Sequence, residues 1–356
     1  MQFADTTFIF VYLLFGVIAS LLLGKIAIYI TNYFGLIDVP GTLPHKQHKS
    51  PTPLAGGIVL MGCLLLFTLI AGLYKYPNIS GLIFPLLIVF GFGLWDDKKR
   101  IRARYKFLGQ ILAALLLMYY GISIQFLESL VGASSPFLGL AFWLDRLITL
   151  LWVVGITNAY NLIDSMDGLA IGLANIAFGF FILASINSAQ PELITVFTIL
   201  LGIGIGISLF NTTPAQLFLG DSGAQSIGFL MAALAIMYHP LGKEQAATWF
   251  IKVMLMAVPI FDTCLVFFSR LRQKQWFFIA GQDHTYHRLV NMGITAGHAV
   301  LILQIGAIMM NCLAFISISL APIYSNILFM AVFLVGLALF FYFEKKQQDW
   351  EAEQLK

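Results

Sequence analysis

Two amides and two carboxylates recur at every third residue in one short stretch of this chain. The stretch reads Asn158-Ala-Tyr-Asn161-Leu-Ile-Asp164-Ser-Met-Asp167-Gly168. Side chains three residues apart share one face of a helix, so these four would form a single polar stripe. Asp and Asn also favour helix ends, and a solvated helix end is the alternative interpretation. Because the flanking sequence is apolar, we expect the stripe to face a polar ligand.

A second stretch, from Asn211 to Gly223, ends in an acid placed between two glycines, Gly220-Asp221-Ser-Gly223. Glycine lets another group approach the backbone closely, and the N–H groups at the start of a helix attract anions. A Gly-Asp-x-Gly string alone is a common turn. We expect it to carry function here because other acids accompany it.

Those other acids include the adjacent pair Asp96 and Asp97, which six basic residues follow between Lys98 and Lys106. Neighbouring carboxylates stay ionised together only when a cation or bases compensate them, so the pair could bind a metal ion or supply a base. The basic run is also typical of a cytoplasmic loop that contacts lipid headgroups. Carboxylate oxygens suit Mg²⁺, which takes one or two protein carboxylates together with substrate phosphate oxygens. We therefore expect Mg²⁺, with Mn²⁺ able to substitute.

Cationic side chains gather in a late loop that contains Arg272, His284, His287 and Arg288. Two histidines three residues apart could bind zinc, but the third nitrogen or sulfur ligand that zinc needs is missing nearby. An anion such as a phosphate fits this loop better. Just before it, Asp262 lies about six residues inside an apolar run, and an ionisable residue at such depth marks a functional site by default.

The elements that must position these residues are membrane helices. Sixty per cent of the 356 residues are apolar and only 10% are charged, whereas soluble domains average roughly 25% charged residues. A water-solvated surface is therefore excluded. Eleven apolar runs have about the length that a bilayer requires. They lie at residues 8–31, 54–73, 81–95, 106–124, 141–160, 168–187, 193–210, 224–239, 248–268, 298–320 and 323–343. The sequence predicts an all-α polytopic membrane protein of about eleven transmembrane helices that forms one domain, residues 1–356.

Lys and Arg residues predict its orientation. One set of alternate loops and the C-terminal tail contain fifteen of them, and the other set contains only Lys75, Arg146 and Lys243. Loops rich in Lys and Arg face the cytoplasm. This places the N-terminus outside and the C-terminus in the cytoplasm, as an odd number of spans requires. The candidate acids then fall on the cytoplasmic side, where we expect the active site. The loops predicted to form it are 32–53, 96–106, 158–168, 211–223 and 269–297.

A cluster of acids and phosphate-binding cations at one membrane face fits phosphoryl transfer, in which positioning and electrostatic stabilisation do most of the work. A transporter or an ion channel is the rival class, because acids within a membrane also mark ion paths. Transporters usually bind near the bilayer midplane between internal repeats. This sequence shows no repeat, and its acids concentrate at one interface.

Five stretches in order resemble the polyprenyl-phosphate N-acetylhexosamine-1-phosphate transferases, the family that starts bacterial cell-envelope glycans. The resemblance extends from about Gly35 to Gly297. The stretches are Pro51-Thr-Pro-Leu-Ala-Gly-Gly57 behind His48, the Asp96-Asp97 pair, residues 158–169, residues 211–223, and Asp262 with the loop to His287.

The resemblance implies a bacterial inner-membrane enzyme with its active site on the cytoplasmic face. In this family, an oxygen of a polyprenyl phosphate attacks the β-phosphorus of a UDP-N-acetylhexosamine, and UMP leaves. The implied partners are undecaprenyl phosphate, a UDP-N-acetylhexosamine, Mg²⁺ and the lipid bilayer, with no nucleic acid. The sequence leaves the oligomeric state open, and a homodimer is one option.

The resemblance also assigns roles to residues. Asp221 would bind Mg²⁺ with Asn161 as a second contributor, and Asp96 and Asp97 would be the acids nearest the chemistry, Asp97 being the candidate to orient or deprotonate the lipid phosphate. The residues that would line the nucleotide pocket are Asn158, Asp164, Asp167 and Asn211, with Phe218 stacked on uracil. Those that would bind the sugar and diphosphate are Arg272, His284, His287 and Arg288. Lys46 and His48 would contact the lipid phosphate or belong to its loop.

The donor sugar is read from the late loop, His284-Thr-Tyr286-His287. Family members that use UDP-N-acetylglucosamine show His-x-His-His there, and the muramoyl-pentapeptide enzymes show three consecutive histidines. The outer histidines match the first pattern, and Tyr286 replaces the histidine between them. UDP-N-acetylglucosamine is therefore the first choice, ahead of a 6-deoxy-N-acetylhexosamine or the muramoyl-pentapeptide donor.

Overall fold

Helices make up almost all of the regular structure of this chain. The computed structural model describes residues 6–41, 50–186, 190–240, 248–274, 281 and 283–354. The helices are α1 (Thr6–Phe34), α2 (Gly56–Ile70), α3 (Pro77–Lys99), α4 (Ala103–Tyr119), α5 (Phe126–Val131), α6 (Leu138–Ile163), α7 (Leu169–Ser185), α8 (Pro191–Asn211), α9 (Gly220–Met237), α10 (Trp249–Leu255), α11 (Ala257–Arg272), α12 (Thr285–Asn291), α13 (Ala296–Ser319) and α14 (Pro322–Gln354).

Each predicted apolar run coincides with a helix or, in one case, a pair of helices, so the prediction of an all-α multi-pass membrane protein is confirmed. Within the described ranges, six helices are long and apolar enough to cross a membrane, namely α1, α3, α6, α8, α13 and α14. A seventh span results if α10 and α11 are counted together. By this criterion the structure supports six or seven spans, fewer than the eleven predicted.

The difference has two physical causes. Four helices are only 15 to 18 residues long, namely α2, α4, α7 and α9, and α4 and α9 also begin with polar residues of the candidate site. The predicted run 248–268 is also not one straight helix, because α10 and α11 meet at 78°. Pro259 lies in the first turn of α11, and proline lacks the N–H that a continuous helix would need there.

Helix α9 is the central element. All of its residues from 222 to 237 are buried, and it packs against α2, α3 and α6. Close approach requires glycine at the α3 contact, because a Cβ atom on Gly93 would lie 2.6 Å from Cα of Ser222. This contact brings the end of α3 against the beginning of α9.

A short sheet closes the predicted loop 32–53 and lies beside the 211–223 loop. Strand β1 (Ile37–Asp38) pairs antiparallel with β2 (Thr52–Pro53). Strand β2 and the start of α2 then contact the chain just before α9: the Phe218 N–H donates to the Pro53 carbonyl (2.9 Å), and the Gly56 N–H donates to the Phe218 carbonyl (3.0 Å). Residues 218–219 are thereby fixed beside the start of α2.

The last helix, α14, is held differently. None of its most apolar stretch is buried inside the protein, and it packs against α11, α12 and α13 only at a few points. It also continues to Gln354, 11 residues past the apolar run that ends at residue 343. This extension contains several charged residues and reaches the late loop.

Candidate active site

Asp97 joins the end of α3 to the beginning of α9. Its two carboxylate oxygens accept the backbone N–H groups of Asp221 (2.7 Å) and Ser222 (3.1 Å). Gly220 precedes them with a φ of +69°, and a Cβ atom there would lie 2.7 Å from an oxygen of Asp97. The positive end of the α9 dipole points toward this carboxylate. The structure thus places Asp97 directly against the backbone of the Gly220-Asp221 turn.

Lys106 links the other two acids of this cluster. Its ammonium nitrogen lies 2.5 Å from Asp96 Oδ2 and 2.8 Å from Asp221 Oδ1. Asp96 also accepts the Ile101 N–H at 2.7 Å. Asp96 is buried, whereas the Asp221 side chain keeps 27% of its surface exposed. Asp221 is therefore an acid that a ligand from outside can reach.

A chain of side-chain amides extends the cluster to the polar stripe on α6. Asn158 and Gln110 exchange hydrogen bonds of 2.6 and 3.3 Å, and Gln110 donates to Gln225 at 3.0 Å. Gln225 in turn donates to Asp221 at 3.1 Å. One polar network therefore runs from α6 through α4 to the first turn of α9.

Asp164 follows the end of α6 and is repelled electrostatically by three other acids. Burial, followed by the charges of Asp221, Asp97 and Asp167, raises the pKa of Asp164 to about 8. Mutual repulsion of this kind requires the four carboxylates to lie close together. Asp167 in addition accepts a hydrogen bond from the Thr213 hydroxyl (3.2 Å). The structure thus brings the acids of three sequence stretches into one site.

The two remaining members of the predicted nucleotide pocket have backbone contacts. Asn211 is buried, and its amide accepts the Gly168 N–H (3.0 Å) and donates to the Leu217 carbonyl (3.0 Å). It therefore holds the 158–168 and 211–223 loops together. Phe218 is half-buried, with its backbone bonded to the segment after β2. Asn161 lies half-buried on α6, one turn before Asp164.

Asp262 orients the late loop. It is buried, and its oxygens accept hydrogen bonds from His284 Nδ1 (2.8 Å) and from the Thr285 N–H at the start of α12 (2.6 Å). The rings of His284 and His287 lie 5.7 Å apart. The acid predicted within the membrane therefore fixes the position of a predicted ligand-binding histidine.

The late loop lies near the acids of the α6–α7 connection. Burial, followed by the charge of Asp167, raises the pKa of Tyr286. Three residues before Tyr286, Asp283 forms a bidentate pair with Arg270, at 2.7 and 2.9 Å. Burial opposes ionisation of Asp283, but Arg270 and the charge of His284 outweigh it and hold the pKa of Asp283 below its usual range.

Two predicted diphosphate ligands face α14 instead of the acidic cluster. Arg272 pairs with Glu344 (3.2 Å) and Glu351 (3.5 Å). Arg288 is buried and pairs with Glu344 at 2.8 Å. The predicted residues Lys46 and His48 lie outside the described residues.

The acids at the start of α9 have the oxygen donors that Mg²⁺ prefers. In the part of the chain that the structure describes, no group of three or more His, Cys, Asp or Glu side chains is arranged to hold a metal ion. Mg²⁺ commonly uses only one or two protein carboxylates and completes its shell with water and substrate phosphates. Asp221 and Asp96 already share one cation, the Lys106 ammonium. The residues therefore fit a magnesium ion that binds together with phosphate.

Lys106, Gln110 and Gln225 were not among the predicted site residues. In the sequence, Lys106 is the last residue of the basic run that begins at Lys98. Gln110 and Gln225 lie within the apolar runs 106–124 and 224–239, where an amide is costly without a partner, and this signal could have identified them.

Comparison with known proteins places the chain in a family. The profile of glycosyl transferase family 4 matches residues 79–239, the region that contains Asp96, Asp97, the α6 stripe and Asp221. A phospho-N-acetylmuramoyl-pentapeptide-transferase of Levilactobacillus brevis is 32% identical over 217 residues, which cover 57% of this chain and 67% of the relative. The chain belongs to glycosyl transferase family 4.

Other relatives carry two kinds of name. A probable undecaprenyl-phosphate N-acetylglucosaminyl 1-phosphate transferase of Bacillus subtilis is 28% identical over 314 residues, 86% of this chain and 82% of the relative. A phospho-N-acetylmuramoyl-pentapeptide-transferase of Bacillus mycoides is 34% identical over 206 residues, 54% of this chain and 62% of the relative. This family member is accordingly a sugar-phosphate transferase of the membrane, as the resemblance in the sequence predicted.

Proposed function

We propose that this chain transfers N-acetylglucosamine-1-phosphate from UDP-N-acetylglucosamine to undecaprenyl phosphate. A phosphate oxygen of the lipid attacks the β-phosphorus of the donor, the bond between that phosphorus and the UMP oxygen breaks, and UMP leaves. The convergence of Asp97, Asp164, Asp167 and Asp221 at the start of α9 carries this proposal. Such a site needs cations, and it can accept the phosphates of both substrates only with their help.

Magnesium is the cation that this donor set suits, and Mn²⁺ is the expected substitute. Asp221 would hold it, with Asn161 as a second contributor. When bound, the ion neutralises charge on the reacting phosphates and aligns them. Lys106 pairs with Asp96 and Asp221, and its ammonium would be able to contact a phosphate when Asp221 holds the metal ion.

Asp97 and Asp96 remain the acids proposed nearest the chemistry. Because Asp97 accepts two N–H groups of the Gly220-Asp221 turn, it also sets the position of the proposed ligand Asp221. A general base is not required, since a phosphate monoester is already largely ionised near neutral pH. We therefore infer that Asp97 orients both the lipid phosphate and the Gly220-Asp221 turn that would bind the metal ion.

The donor would lie between the α6–α7 connection and the late loop. The proposed nucleotide side contains Asn158, Asp164, Asp167, Asn211 and Phe218. The sugar and diphosphate would face His284 and His287. The greater coverage of the chain by the N-acetylglucosaminyl relative, 86% against 54–57% for the two muramoyl-pentapeptide relatives described above, favours N-acetylglucosamine.

For the membrane arrangement we propose eleven spans in the bacterial inner membrane, with the N-terminus outside and the C-terminus in the cytoplasm. The shorter helices α2, α4, α7 and α9 would then also cross, each with polar residues or a loop at the cytoplasmic face. The fifteen-to-three distribution of Lys and Arg supports this orientation.

Release of UMP tests the proposal directly. Purified protein would be mixed with undecaprenyl phosphate, Mg²⁺ and, in turn, UDP-N-acetylglucosamine, a 6-deoxy-N-acetylhexosamine donor and the muramoyl-pentapeptide donor. We expect release with UDP-N-acetylglucosamine that requires both the lipid and the metal. Asp221→Asn should lower kcat by about 100-fold or more, while Asp349→Asn, the same change at an exposed position of α14, should not. The absence of UMP release with every donor would contradict the proposal and favour a transporter or an ion channel.

A further inference from the structure

The extension of α14 docks on the late loop through one shared acid. The carboxylate of Glu344 contacts Arg272 of α11 through Oε2 (3.2 Å) and Arg288 of α12 through Oε1 (2.8 Å). Only 11% of the Glu344 side chain is exposed. The two arginines lie at opposite ends of the loop, and both contact the Glu344 side chain.

Arg288 also ties the loop backbone to the α14 backbone. Its Nε donates to the Asp283 carbonyl (2.9 Å), and its Nη1 donates to the Phe343 carbonyl (3.1 Å). With 1% of its surface exposed, Arg288 is enclosed by these contacts. Since Asp283 directly precedes His284, the tie fixes the chain at the proposed sugar-binding histidine.

A second, more exposed set of contacts lies one to two turns further along α14. Glu351 accepts hydrogen bonds from Gln273 (2.7 Å) and Gln347 (3.1 Å) and pairs with Arg272 at 3.5 Å. Exposed ion pairs contribute little, whereas removing one partner of a buried pair leaves the other charge uncompensated. Glu344 is therefore the contact that matters most.

The rest of α14 contributes little to the protein interior. None of its most apolar stretch is buried, so this stretch is suited to face lipid. Its rings contact α10 and α11, Phe329 with Trp249 and Phe343 with Phe261, and polar contacts link its extension to the late loop.

We propose that Glu344 is a positioning residue that, through Arg272 and Arg288, holds residues 283–288 in the orientation needed to bind the sugar and diphosphate of the donor. This inference rests on the proposed function. It assigns the two arginines to holding the loop rather than to contacting the diphosphate. Helix α14 would then extend from the membrane and support the donor side of the active site.

The test compares Glu344→Gln with Asp349→Asn, because each removes one negative charge from the same segment of α14. Glu344→Gln should lower kcat/KM for UDP-N-acetylglucosamine by about 10- to 100-fold, since small displacements of positioning groups cost that much. KM for undecaprenyl phosphate should stay within about twofold, because the lipid side does not depend on the loop. Asp349→Asn should have the same kcat/KM and KM as the unchanged protein for both substrates.

Hydrogen–deuterium exchange of the ligand-free protein supplies a readout that does not depend on activity. Peptides from residues 283–291 should exchange faster in Glu344→Gln than in Asp349→Asn, while peptides from α9 should not differ. If Glu344→Gln is poorly folded, Glu344→Asp takes its place and should recover part of the donor kcat/KM and part of the protection.

Two results would overturn the inference. One is equal kinetics and equal exchange for Glu344→Gln and Asp349→Asn. The other is an equal loss toward both substrates together with faster exchange throughout α9, which would indicate general damage. If the unchanged protein releases no UMP from any donor, the proposed function is wrong. The role of Glu344 in holding the loop is then still tested by exchange, and equal exchange of peptides 283–291 in the two variants would refute it.

Discussion

A single carboxylate, Asp97, combines a structural and a proposed chemical task. It accepts two backbone N–H groups at the start of α9, and it lies among the acids proposed to meet the phosphates. The Asp97→Asn variant separates these tasks, because an amide keeps one accepting oxygen and places a donor against the second N–H.

For Asp97→Asn we expect a loss of about 1 kcal/mol in the free energy of unfolding, the usual value of a helix cap. We expect kcat to fall by about 100-fold or more, because the lipid phosphate and the Asp221 turn lose their alignment. Thermal unfolding and steady-state kinetics at saturating lipid measure the two effects. An effect on KM alone would remove Asp97 from the chemistry.

The raised pKa of Asp164 predicts a pH-dependent stability. Its pKa is about 8 in the folded protein and about 3.9 in an unfolded chain. Between these values the folded state binds the extra proton, so rising pH destabilises the fold. The cost is absent below about pH 4, grows up to about pH 8 and is constant above it.

Asp164→Asn removes this titration without changing the shape of the side chain. In detergent with a chelator present, the variant should gain stability over the unchanged protein as pH rises from 5 to 8, and the gain should level off above 8. Unfolding midpoints of both proteins across this range check the prediction. A difference that does not vary with pH would show that the neighbouring acids do not act on Asp164.

Among the elements, α9 has side-chain contacts at both of its ends. Asp97 accepts an N–H of its first turn, and Lys252 Nζ donates to the Ile236 carbonyl in its last turn (3.4 Å). Each contact satisfies a backbone group that a helix end leaves without an intrahelical partner. The contact with α3 at Gly93 then sets how closely the two helices approach.

Gly93→Ala should disturb that approach. The new methyl group would overlap with the backbone of Ser222, and overpacking of this kind costs about 1–3 kcal/mol. We expect lower thermal stability and a larger loss of activity, because Asp97 and Asp221 separate. Gly91→Ala is the matched control on the same helix, since no atom lies within 4 Å of its Cβ position. Equal behaviour of the two variants would contradict the proposed contact.

The sequence predicted elements better than it predicted partners. Apolar runs located the helices because a bilayer favours a simple length and composition, and the residue types in the α6 stripe and the Gly220-Asp221 turn indicated the candidate site. Lys106 was missed because a lysine within a basic run resembles an ordinary topological signal. The partners of Arg272 and Arg288 were missed because Glu344 lies more than 50 residues later, and no local pattern connects them.

For the whole molecule, the charge distribution predicts which loops face the cytoplasm. A cysteine in place of Lys75 should react with a membrane-impermeant maleimide in intact cells, whereas one in place of Lys99 should react only after the cells are opened. The protein without an added cysteine is the control, because it contains three cysteines of its own. Labelling of the Lys99 position from outside would reverse the proposed orientation.

The central claim is that dispersed carboxylates meet around one divalent cation at the start of α9. Iron-mediated cleavage measures this directly: Fe²⁺ replaces Mg²⁺, and ascorbate with peroxide generates radicals that cut the backbone near the ion. We expect cuts close to Asp97, Asp164 and Asp221 together, all suppressed by excess Mg²⁺ and absent in Asp221→Asn. Cuts confined to one of these stretches, or unchanged in Asp221→Asn, would contradict the account.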